Sequence, residues 1–297
     1  MKNTTTEDTE LFPKEETKKL YHETIALLIK TAREKDEKEL MSSILYFRGI
    51  MTLSSYDVSK ELGETIELFF QLTILRNTHP QIMSIQSFFK LGLLVYCHII
   101  ETYPTFEFLY NLSLLAQGKD YQLHPFGGSD DKPLTQEETK VLLDEINSEK
   151  DFNIQKALIS KLSYKLRISE MPIIARIQKV IKESKKAKIP LEDILNDIYD
   201  KDIRNAFSHG HYCLDQKGLM IISKNRLVPY KELLDKITKC LHFYVTLADQ
   251  ANDVLANLPP NEPSTFKGRL GEMTITPNVE GSFVSYLIQS TSLSKHI

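Results

Sequence analysis

The sequence predicts an all-α fold, a multi-helix bundle that carries one short β-hairpin. Apolar residues recur at helical spacing through most of residues 13–258, which is the pattern of amphipathic helices packed around a shared core. One stretch, residues 82–103, is apolar on nearly every side, and a helix of that kind is buried at the centre of a bundle. Strand-like residues flank a turn-forming tetrad within residues 212–222, so we predict a hairpin there.

The length and composition indicate a globular chain that can bury a large core. It has 297 residues, of which 41% are apolar and 26% are charged, and its formal net charge is -3. The length suits one large domain or two small ones. This charge balance excludes a disordered acidic chain and a basic nucleic-acid arm. A nucleic-acid partner would therefore have to bind to a local patch.

The cysteines and the longest apolar run bear on compartment, membrane and cofactors. Cys97, Cys213 and Cys240 lie far apart among apolar residues, which predicts reduced, buried thiols of a cytoplasmic protein. Residues 1–10 are polar and acidic, unlike a signal peptide. The longest apolar run, residues 91–100, is shorter than the ~20 residues that cross a bilayer. We therefore expect no membrane partner and no cofactor.

We divide the chain into three parts. Residues 1–12 form a polar tail, residues 13–258 form the helical domain, and residues 259–297 form a proline-rich linker with a C-terminal extension. In the extension, apolar and polar residues alternate at 273–276 and at 282–288. That alternation predicts two β-strands.

Residues that start or stop helices set the order of the predicted helices. Pro80 ends or kinks the third helix because proline disfavours helical backbone in the residue before it. Pro104 opens the fifth helix, Gly118 closes it, and a loop follows to residue 133. A capping box of Thr135 and Glu138 starts the sixth. The predicted helices occupy residues 13–35, 38–53, 58–75, 82–103, 106–117, 135–149, 154–185 (one or two helices), 191–208 and 230–258.

The densest cluster of chemical groups lies at the end of the helix that precedes the hairpin. Arg204, Asn205, His209 and His211 lie within eight residues, and Gly210 is the residue type that usually follows a helix end. On one straight helix, Arg204 and His209 are about 140° apart around the axis and about 7.5 Å apart along it. They do not face each other there, but both could line a groove across the helix end, especially one completed by a second subunit.

This stretch resembles the HEPN domain family. Arg204-Asn205, three further residues and His209 match the arginine, polar residue and histidine of that family's motif, and residues 210–212 are similar to the end of its catalytic helix. The resemblance implies a homodimeric, metal-independent endoribonuclease that acts on RNA, with Arg204, Asn205 and His209 as its catalytic residues. Such proteins act in bacterial toxin or anti-phage defence systems, where an antitoxin or other regulatory protein restrains them.

The resemblance extends upstream of the motif. Residues 90–101 and 106–115 look similar to the helices that precede the motif in bacterial HEPN-type proteins, so the resemblance covers residues 60–258. Residues 1–55 lie outside it, as do residues after 258. The implied fold is therefore a HEPN-like helical bundle.

The residue types in the motif suit RNA cleavage without a metal. In that reaction the neighbouring 2′-OH attacks the phosphorus, which requires a base, an acid and a cation for the developing negative charge. His209 suits the acid or base role because imidazole titrates near neutrality. Arg204 suits the phosphate because its charged guanidinium has a planar fork of donors, and Asn205 could orient either group. The expected products carry a 2′,3′-cyclic phosphate and a 5′-OH.

Each motif residue also has a purely structural interpretation. Arg204 could pair with Asp200 on the helix surface, and His209 could simply cap the helix, where the dipole favours a histidine. His211 could contact substrate or could be an ordinary turn residue. A metal site at His209 and His211 has no third ligand nearby in the sequence.

Two residues of the central helix are further candidates for substrate binding. His98 and Glu101 lie three residues apart, and therefore on one face of their helix. They could line the same groove as Arg204. The competing interpretation is that His98 is a core histidine with its hydrogen bonds satisfied.

A different functional class also fits the sequence. The chain could be a non-catalytic HEPN-like module that dimerises and binds a protein or a nucleic acid. The net charge of -3 favours that alternative, because a nonspecific grip on RNA needs positive charge. A nucleotide-sensing role has less support, since the sequence has no glycine-rich phosphate loop and no paired-aspartate metal motif.

Overall fold

The computed structural model describes most of the chain, in ten segments. They are residues 13–47, 58–122, 125–126, 148, 171–216, 218–222, 226–258, 262–268, 271–280 and 283–290. The chain forms two compact units, residues 1–121 with 177–297, and residues 122–176. Nearly all of the described elements belong to the first unit, and the second contains the first residues of one helix. The predictions for residues 1–12, 127–133, 135–147 and 154–170 lie outside the described residues.

The described residues form a mainly helical protein with small antiparallel sheets, which confirms the predicted helical class. Most predicted helices agree with the observed ones to within a few residues at each end. The helices are α1 (Glu15–Lys35), α2 (Glu37–Phe47), α3 (Val58–Thr78), α4 (Ile85–Glu101), α5 (Tyr103–Leu115), α6 (Ile173–Lys186), α7 (Leu191–Ile198), α8 (Lys201–Ser208) and α9 (Tyr230–Ala256). A single 3-10 turn, Pro80–Ile82, joins α3 to α4.

Helix α4 is the central helix of the first unit, as its sequence predicts. It packs against α3, α8 and α9, and its buried residues lie on several sides of the helix. Gly92 packs closely against α3 and α9, because a Cβ at that position would lie 3.0 Å from Ile237 Cδ1 and 3.2 Å from the Phe69 ring. Leu94 departs from the prediction, since it is 52% exposed. One side of α4 therefore remains open at its C-terminal half.

The single helix predicted at residues 191–208 is wrong, because the chain breaks between α7 and α8. Tyr199 and Asp200 have extended backbone, with ψ values of 121° and 109°. The Asp200 side chain caps α8 by accepting hydrogen bonds from the Asp202 and Ile203 amides at 2.9 and 3.0 Å. Aspartate is a preferred N-cap because it satisfies amides that have no partner within the helix. Helix α8 is therefore a separate eight-residue element with its own orientation.

The buried hydroxyl of Tyr96, on α4, holds this break in place. It accepts a hydrogen bond from the Asp200 amide at 2.9 Å and donates one to the Ile198 carbonyl at 3.2 Å. Both backbone groups lie at the junction and have no helical partner there. One side chain of the central helix thus provides the hydrogen-bond partner for a carbonyl at the end of α7 and for an amide at the start of α8.

A three-stranded antiparallel sheet comes directly after α8. Strands β1 (Tyr212–Leu214) and β2 (Leu219–Ile222) form the predicted hairpin, and β3 (Arg226–Pro229) pairs with β2. The sequence analysis missed β3, which has four residues and ends on a proline directly before α9. Met220, Ile222 and Val228 are buried. The sheet lies against α9 through β2 and β3.

The C-terminal residues form a second antiparallel sheet. Strand β5 (Gly271–Glu280) contains the first predicted strand, β6 (Phe283–Ser290) overlaps the second, and β4 (Ser264–Gly268) is an additional one. Strand β4 lies against α2, and Ile275 in β5 is completely buried. This sheet therefore packs on the helical body.

The structure bears on the predicted burial of the cysteines and on the absence of a predicted membrane span. Cys97 and Cys240 are buried as expected, but Cys213 is exposed, because the alternation of β1 directs it outward. Among the residues that the structure describes, no helix is both long enough and apolar enough to cross a lipid bilayer.

We expect Tyr96→Phe to lower the free energy of unfolding by about 1–3 kcal/mol, because it leaves the Asp200 amide and the Ile198 carbonyl buried without a partner. Urea denaturation followed by circular dichroism measures the change. Tyr199→Phe is the matched control at the same junction, since the described residues show no hydrogen bond to its hydroxyl. Equal stabilities for the two variants would contradict the role assigned to Tyr96.

Candidate functional site

The predicted helix end at Gly210 is confirmed. Helix α8 closes with two bonds of the Schellman type, from the His211 amide to the Ala206 carbonyl at 2.8 Å and from the Gly210 amide to the Phe207 carbonyl at 3.1 Å. Gly210 has φ +67°, a conformation that glycine adopts without strain. His209 occupies the cap position and is exposed. The cap interpretation of His209 therefore describes its backbone and leaves its ring free for chemistry.

Arg204 is held by a carboxylate of the central helix. Its Nε and Nη2 atoms lie 2.9 and 2.8 Å from Glu101 Oε1, and its Nη1 donates to Asn205 Oδ1 at 3.0 Å. Ser208 Oγ donates to the same Glu101 oxygen at 3.0 Å. The alternative in which Arg204 pairs with Asp200 is wrong, because Asp200 caps α8 and binds a different arginine. These bonds fix the direction of the Arg204 guanidinium.

A groove of ≈ 700 Å³ lies beside this ion pair, between α8 and the end of α4. His98, Glu101 and Arg204 line it together, as the sequence analysis expects for a shared groove. Its remaining lining residues are Leu94, Cys97, Thr102, Pro104, Phe207 and Ser208. The interpretation of His98 as a core histidine is wrong, since it is exposed on the open side of α4. Whether His98 and Glu101 contact a substrate directly stays a prediction.

Cys97 is the one thiol in this groove, and its environment makes it a poor nucleophile. Burial, together with the nearby negative charge of Glu101, raises the pKa of Cys97 to about 12. The thiolate, which is the reactive form, is therefore scarce at neutral pH. The chemistry available in the groove is that of its arginine, histidine and carboxylate.

His209 and His211 line a smaller pocket of ≈ 130 Å³ on the other side of α8. Their ring centroids are 6.1 Å apart, and both side chains are exposed. Asn205, Asp202 and Arg226 also line this pocket. Arg226 is a residue that the sequence analysis missed, because it lies in the unpredicted strand β3 and has no motif around it.

The charge of Arg226 is shared among three carboxylates. Its guanidinium lies 2.8 Å from Asp200 Oδ2, 3.1 Å from Asp202 Oδ2 and 3.6 Å from Glu232 Oε1. Burial opposes ionisation of Asp200, but the hydrogen bonds from Arg226 and from the α8 amides outweigh it and hold the pKa of Asp200 below its ordinary value. Arg226 therefore anchors the start of α8 to the sheet.

Helical geometry explains why α8 presents two different sites. Arg204, Phe207 and Ser208 lie on the side that packs against α4, whereas Asn205 and His209 lie on the side next to β2. Positions three and four apart share a face, and positions five apart do not. Arg204 and His209 do not face each other, as their spacing predicts, but the expectation that both line one groove across the helix end is wrong within one chain, because they line separate cavities.

The aromatic residue after the motif has a packing role. The Tyr212 ring lies 5.5 Å from the Phe207 ring, centroid to centroid, at an angle of 37°. This contact joins the first residue of β1 to α8. It also fixes the direction in which the chain leaves His211.

Another polar cluster lies away from α8. A second groove, of ≈ 630 Å³, lies between α1 and α9 and includes His22 and His242. His22 lies 3.0 Å from Gln250 Nε2, and burial lowers the pKa of His242. Neither this groove nor any other part of the described chain brings three histidine, cysteine or carboxylate side chains close enough together to bind a metal ion.

Comparisons with models of protein families, with curated protein sequences and with solved structures gave no match for this chain. The HEPN resemblance therefore depends on the motif residues and on their position at the end of α8.

We expect Asp200→Asn to lower the free energy of unfolding at pH 7 by about 1–2 kcal/mol, since asparagine keeps the cap but loses the charge-assisted bonds to the partly exposed Arg226. The native pKa of Asp200 lies below its ordinary 3.8, so its contribution is complete above that pH and is lost as pH falls through the native pKa. The difference between wild type and variant should shrink only in that acidic range.

Urea denaturation at a series of pH values measures this convergence. Glu23→Gln is the control, because Glu23 pairs with Lys19 on the exposed surface of one helix at 3.8 Å. Such a pair contributes little, so this variant should change stability by less than about 0.5 kcal/mol. A difference at Asp200 that is constant down to the lowest pH would contradict the assigned ion pair.

Proposed function

We propose that this protein is a metal-independent endoribonuclease of the HEPN type, with Arg204, Asn205 and His209 as catalytic residues. The carrying observation is the end of α8, where a tethered guanidinium, an amide and an exposed imidazole lie on adjacent faces of one short helix. These groups can bind a phosphodiester and transfer protons. The described residues offer no competing metal cluster for the same reaction.

Each group has a role in the reaction. The Arg204 guanidinium binds the non-bridging oxygens of the scissile phosphate and stabilises the negative charge that develops on them. His209 transfers a proton as a general acid or base, because imidazole titrates near neutral pH. Asn205 accepts a hydrogen bond from Arg204 at 3.0 Å and lines the His209 pocket, so it links the two sides of α8.

The separation of the two faces supports a homodimeric site. Arg204 and His209 line different cavities of one chain, so a single phosphate does not bridge them there. Two α8 helices packed side by side bring Arg204 of one protomer to His209 of the other. The cation for the phosphate then comes from the second copy, because Arg226 in the His209 pocket is already shared among three carboxylates.

Glu101 competes with the substrate for Arg204. Its carboxylate occupies the Nε and Nη2 donors that an RNA phosphate would use. A bound phosphate therefore has to replace this ion pair or share the guanidinium through Nη1. Because Glu101 is 43% exposed, it can move into solvent when RNA arrives.

The alternative is a non-catalytic HEPN-like module that dimerises and binds a protein or a nucleic acid. Two observations favour it: the net charge of -3, and the pairing of Arg204 with Glu101. In this alternative the groove binds a protein or nucleic acid and no bond is cleaved. Assays of catalysis separate the two functions.

We expect Arg204→Ala to lower the rate of RNA cleavage in EDTA by roughly 10²–10³-fold and His209→Ala by roughly 10²–10⁴-fold, the ranges for losing an electrostatic donor and a proton-transfer group. Gel analysis of cleavage by purified protein, with assignment of the product ends, measures both. The controls are Arg33→Ala, which removes an arginine paired with the exposed Glu37, and His79→Ala at another exposed helix end. Unchanged cleavage by both motif variants would exclude Arg204 and His209 as catalytic residues, and a wild-type protein that does not cleave RNA would leave the binding module.

We expect the two inactive variants to complement each other in mixed dimers. Coexpression of Arg204→Ala and His209→Ala chains places one intact arginine opposite one intact histidine, so part of the activity should return. Purification through two different tags isolates the mixed dimer for the cleavage assay. Activity that stays at the level of the single variants would show that the two residues work within one chain or not together.

We expect Glu101→Gln to bind RNA several-fold more tightly, because the neutral amide competes less well for the Arg204 guanidinium. Fluorescence anisotropy in the His209→Ala background measures binding to intact RNA. Glu192→Gln is the matched control, since Glu192 is 41% exposed, pairs with Lys185 and gives the same change in net charge. Weaker binding by the Glu101 variant alone would mean that Glu101 orients Arg204 for the phosphate.

A further inference from the structure

We infer that His211 is a second catalytic residue, which works with His209 as the acid–base pair of one protomer's pocket. The inference rests on the proposed ribonuclease function and deepens it. From the sequence, His211 is expected only to contact substrate or to be an ordinary turn residue. The structure brings it into the same pocket as His209, on the side of α8 that faces away from Glu101.

The distance between the rings suits proton transfer at both ends of one phosphate. The two imidazole centroids are 6.1 Å apart and their planes are inclined by 37°. A general acid or base works at about 2.6–3.2 Å from the oxygen that it serves. Because both rings are exposed, each can hydrogen-bond to a different oxygen of one phosphodiester that lies across the opening of the pocket.

Both rings are free to exchange protons. His209 and His211 are exposed, and among the described residues neither ring has a hydrogen bond to a protein group. Asp202 of α8 and Arg226 of β3 are the charged groups that line the pocket, and the two are paired to each other at 3.1 Å.

The backbone holds the two histidines more rigidly than a flexible loop would hold them. Gly210 bends the chain by its positive φ, and the His211 amide bonds back to the Ala206 carbonyl. The next residue begins β1, whose register with β2 is set by the pairing of Tyr212 with Ile222. Helix α8 and the sheet thus hold the Cα atoms of both histidines in place.

The two histidines account for both proton transfers of the cleavage step. One neutral imidazole takes the proton of the 2′-OH while the 2′ oxygen forms a bond to phosphorus. The bond from phosphorus to the 5′ oxygen breaks, and the other histidine, as imidazolium, donates a proton to that oxygen. The products are a 2′,3′-cyclic phosphate and a 5′-OH, and the pair is left with its two protonation states exchanged.

The pH dependence of cleavage tests the pair. We expect wild-type kcat/KM to be bell-shaped, because one histidine must be neutral and the other protonated. His211→Ala should lower kcat by roughly 10²–10⁴-fold and remove one limb of the bell, and His209→Ala should remove the other. His79→Ala, at an exposed histidine outside both cavities, should keep the bell and the rate.

An RNA substrate with sulfur in place of the 5′-bridging oxygen identifies which histidine is the general acid. It also distinguishes loss of the acid from a structural effect of the substitution. A thiolate leaves without being protonated, so this RNA should restore cleavage to whichever variant lacks the general acid and leave the other slow. Both histidines are exposed, and circular dichroism with urea denaturation checks that both variants fold.

The outcomes distinguish failure of this inference from failure of the proposed ribonuclease function. Full activity in His209→Ala overturns the proposed nuclease itself. Loss of activity in His209→Ala with a normal rate and bell in His211→Ala overturns only the inference. The inference is also overturned if His98→Ala, and not His211→Ala, removes one limb of the bell-shaped pH profile. The second imidazole would then lie in the groove beside Arg204.

Discussion

The site depends on one carboxylate, that of Asp200, which sets where helix α8 begins. It accepts hydrogen bonds from the first amides of α8 and from Arg226, and its own amide is bonded to the buried Tyr96 hydroxyl. Three parts of the fold, α4, α8 and β3, therefore meet at this residue. If α7 continued straight into α8, the faces of α8 would turn relative to α4 and the sheet. The two cavities would then lose their lining residues.

Carboxylates restrain both of the guanidiniums that lie beside α8. Arg226 has three acidic neighbours and a structural role, whereas Arg204 has one exposed acidic neighbour in an open groove. The difference matters for phosphate binding, since a single exposed carboxylate is displaced more easily than three. In the proposed enzyme, a chain with a net charge of -3 would bind RNA through this local cation, which becomes available when the ligand replaces the carboxylate.

Helix α8 presents different chemical groups on its two sides. The side toward α4 presents a cation with an apolar surround that includes Leu94 and Phe207, and the side toward the sheet presents two imidazoles. In the proposed enzyme the first side binds the phosphate and the second moves protons. Neither side is complete without the other. The proposed mechanism therefore requires two chains to form one complete site.

Much of this arrangement could be predicted from local sequence. The periodicity of α4, the glycine at the end of α8 and the turn of the hairpin depend on residues close together in the chain, and all three predictions are confirmed. The angular separation of Arg204 and His209 follows from helix geometry in the same way. The break at Asp200 was missed, because an apolar stripe continues through it and the hydroxyl that stabilises it lies more than one hundred positions away.

The sequence by itself determined which groups the helix end carries and which way the chain turns there, because short-range sterics and hydrogen bonds decide both. Only the tertiary structure decided their partners: Glu101 for Arg204, Arg226 for Asp200, and an open surface rather than the core for His98. These pairings join residues that are far apart in the chain. They depend on how the helices and the sheet pack, which no local pattern records.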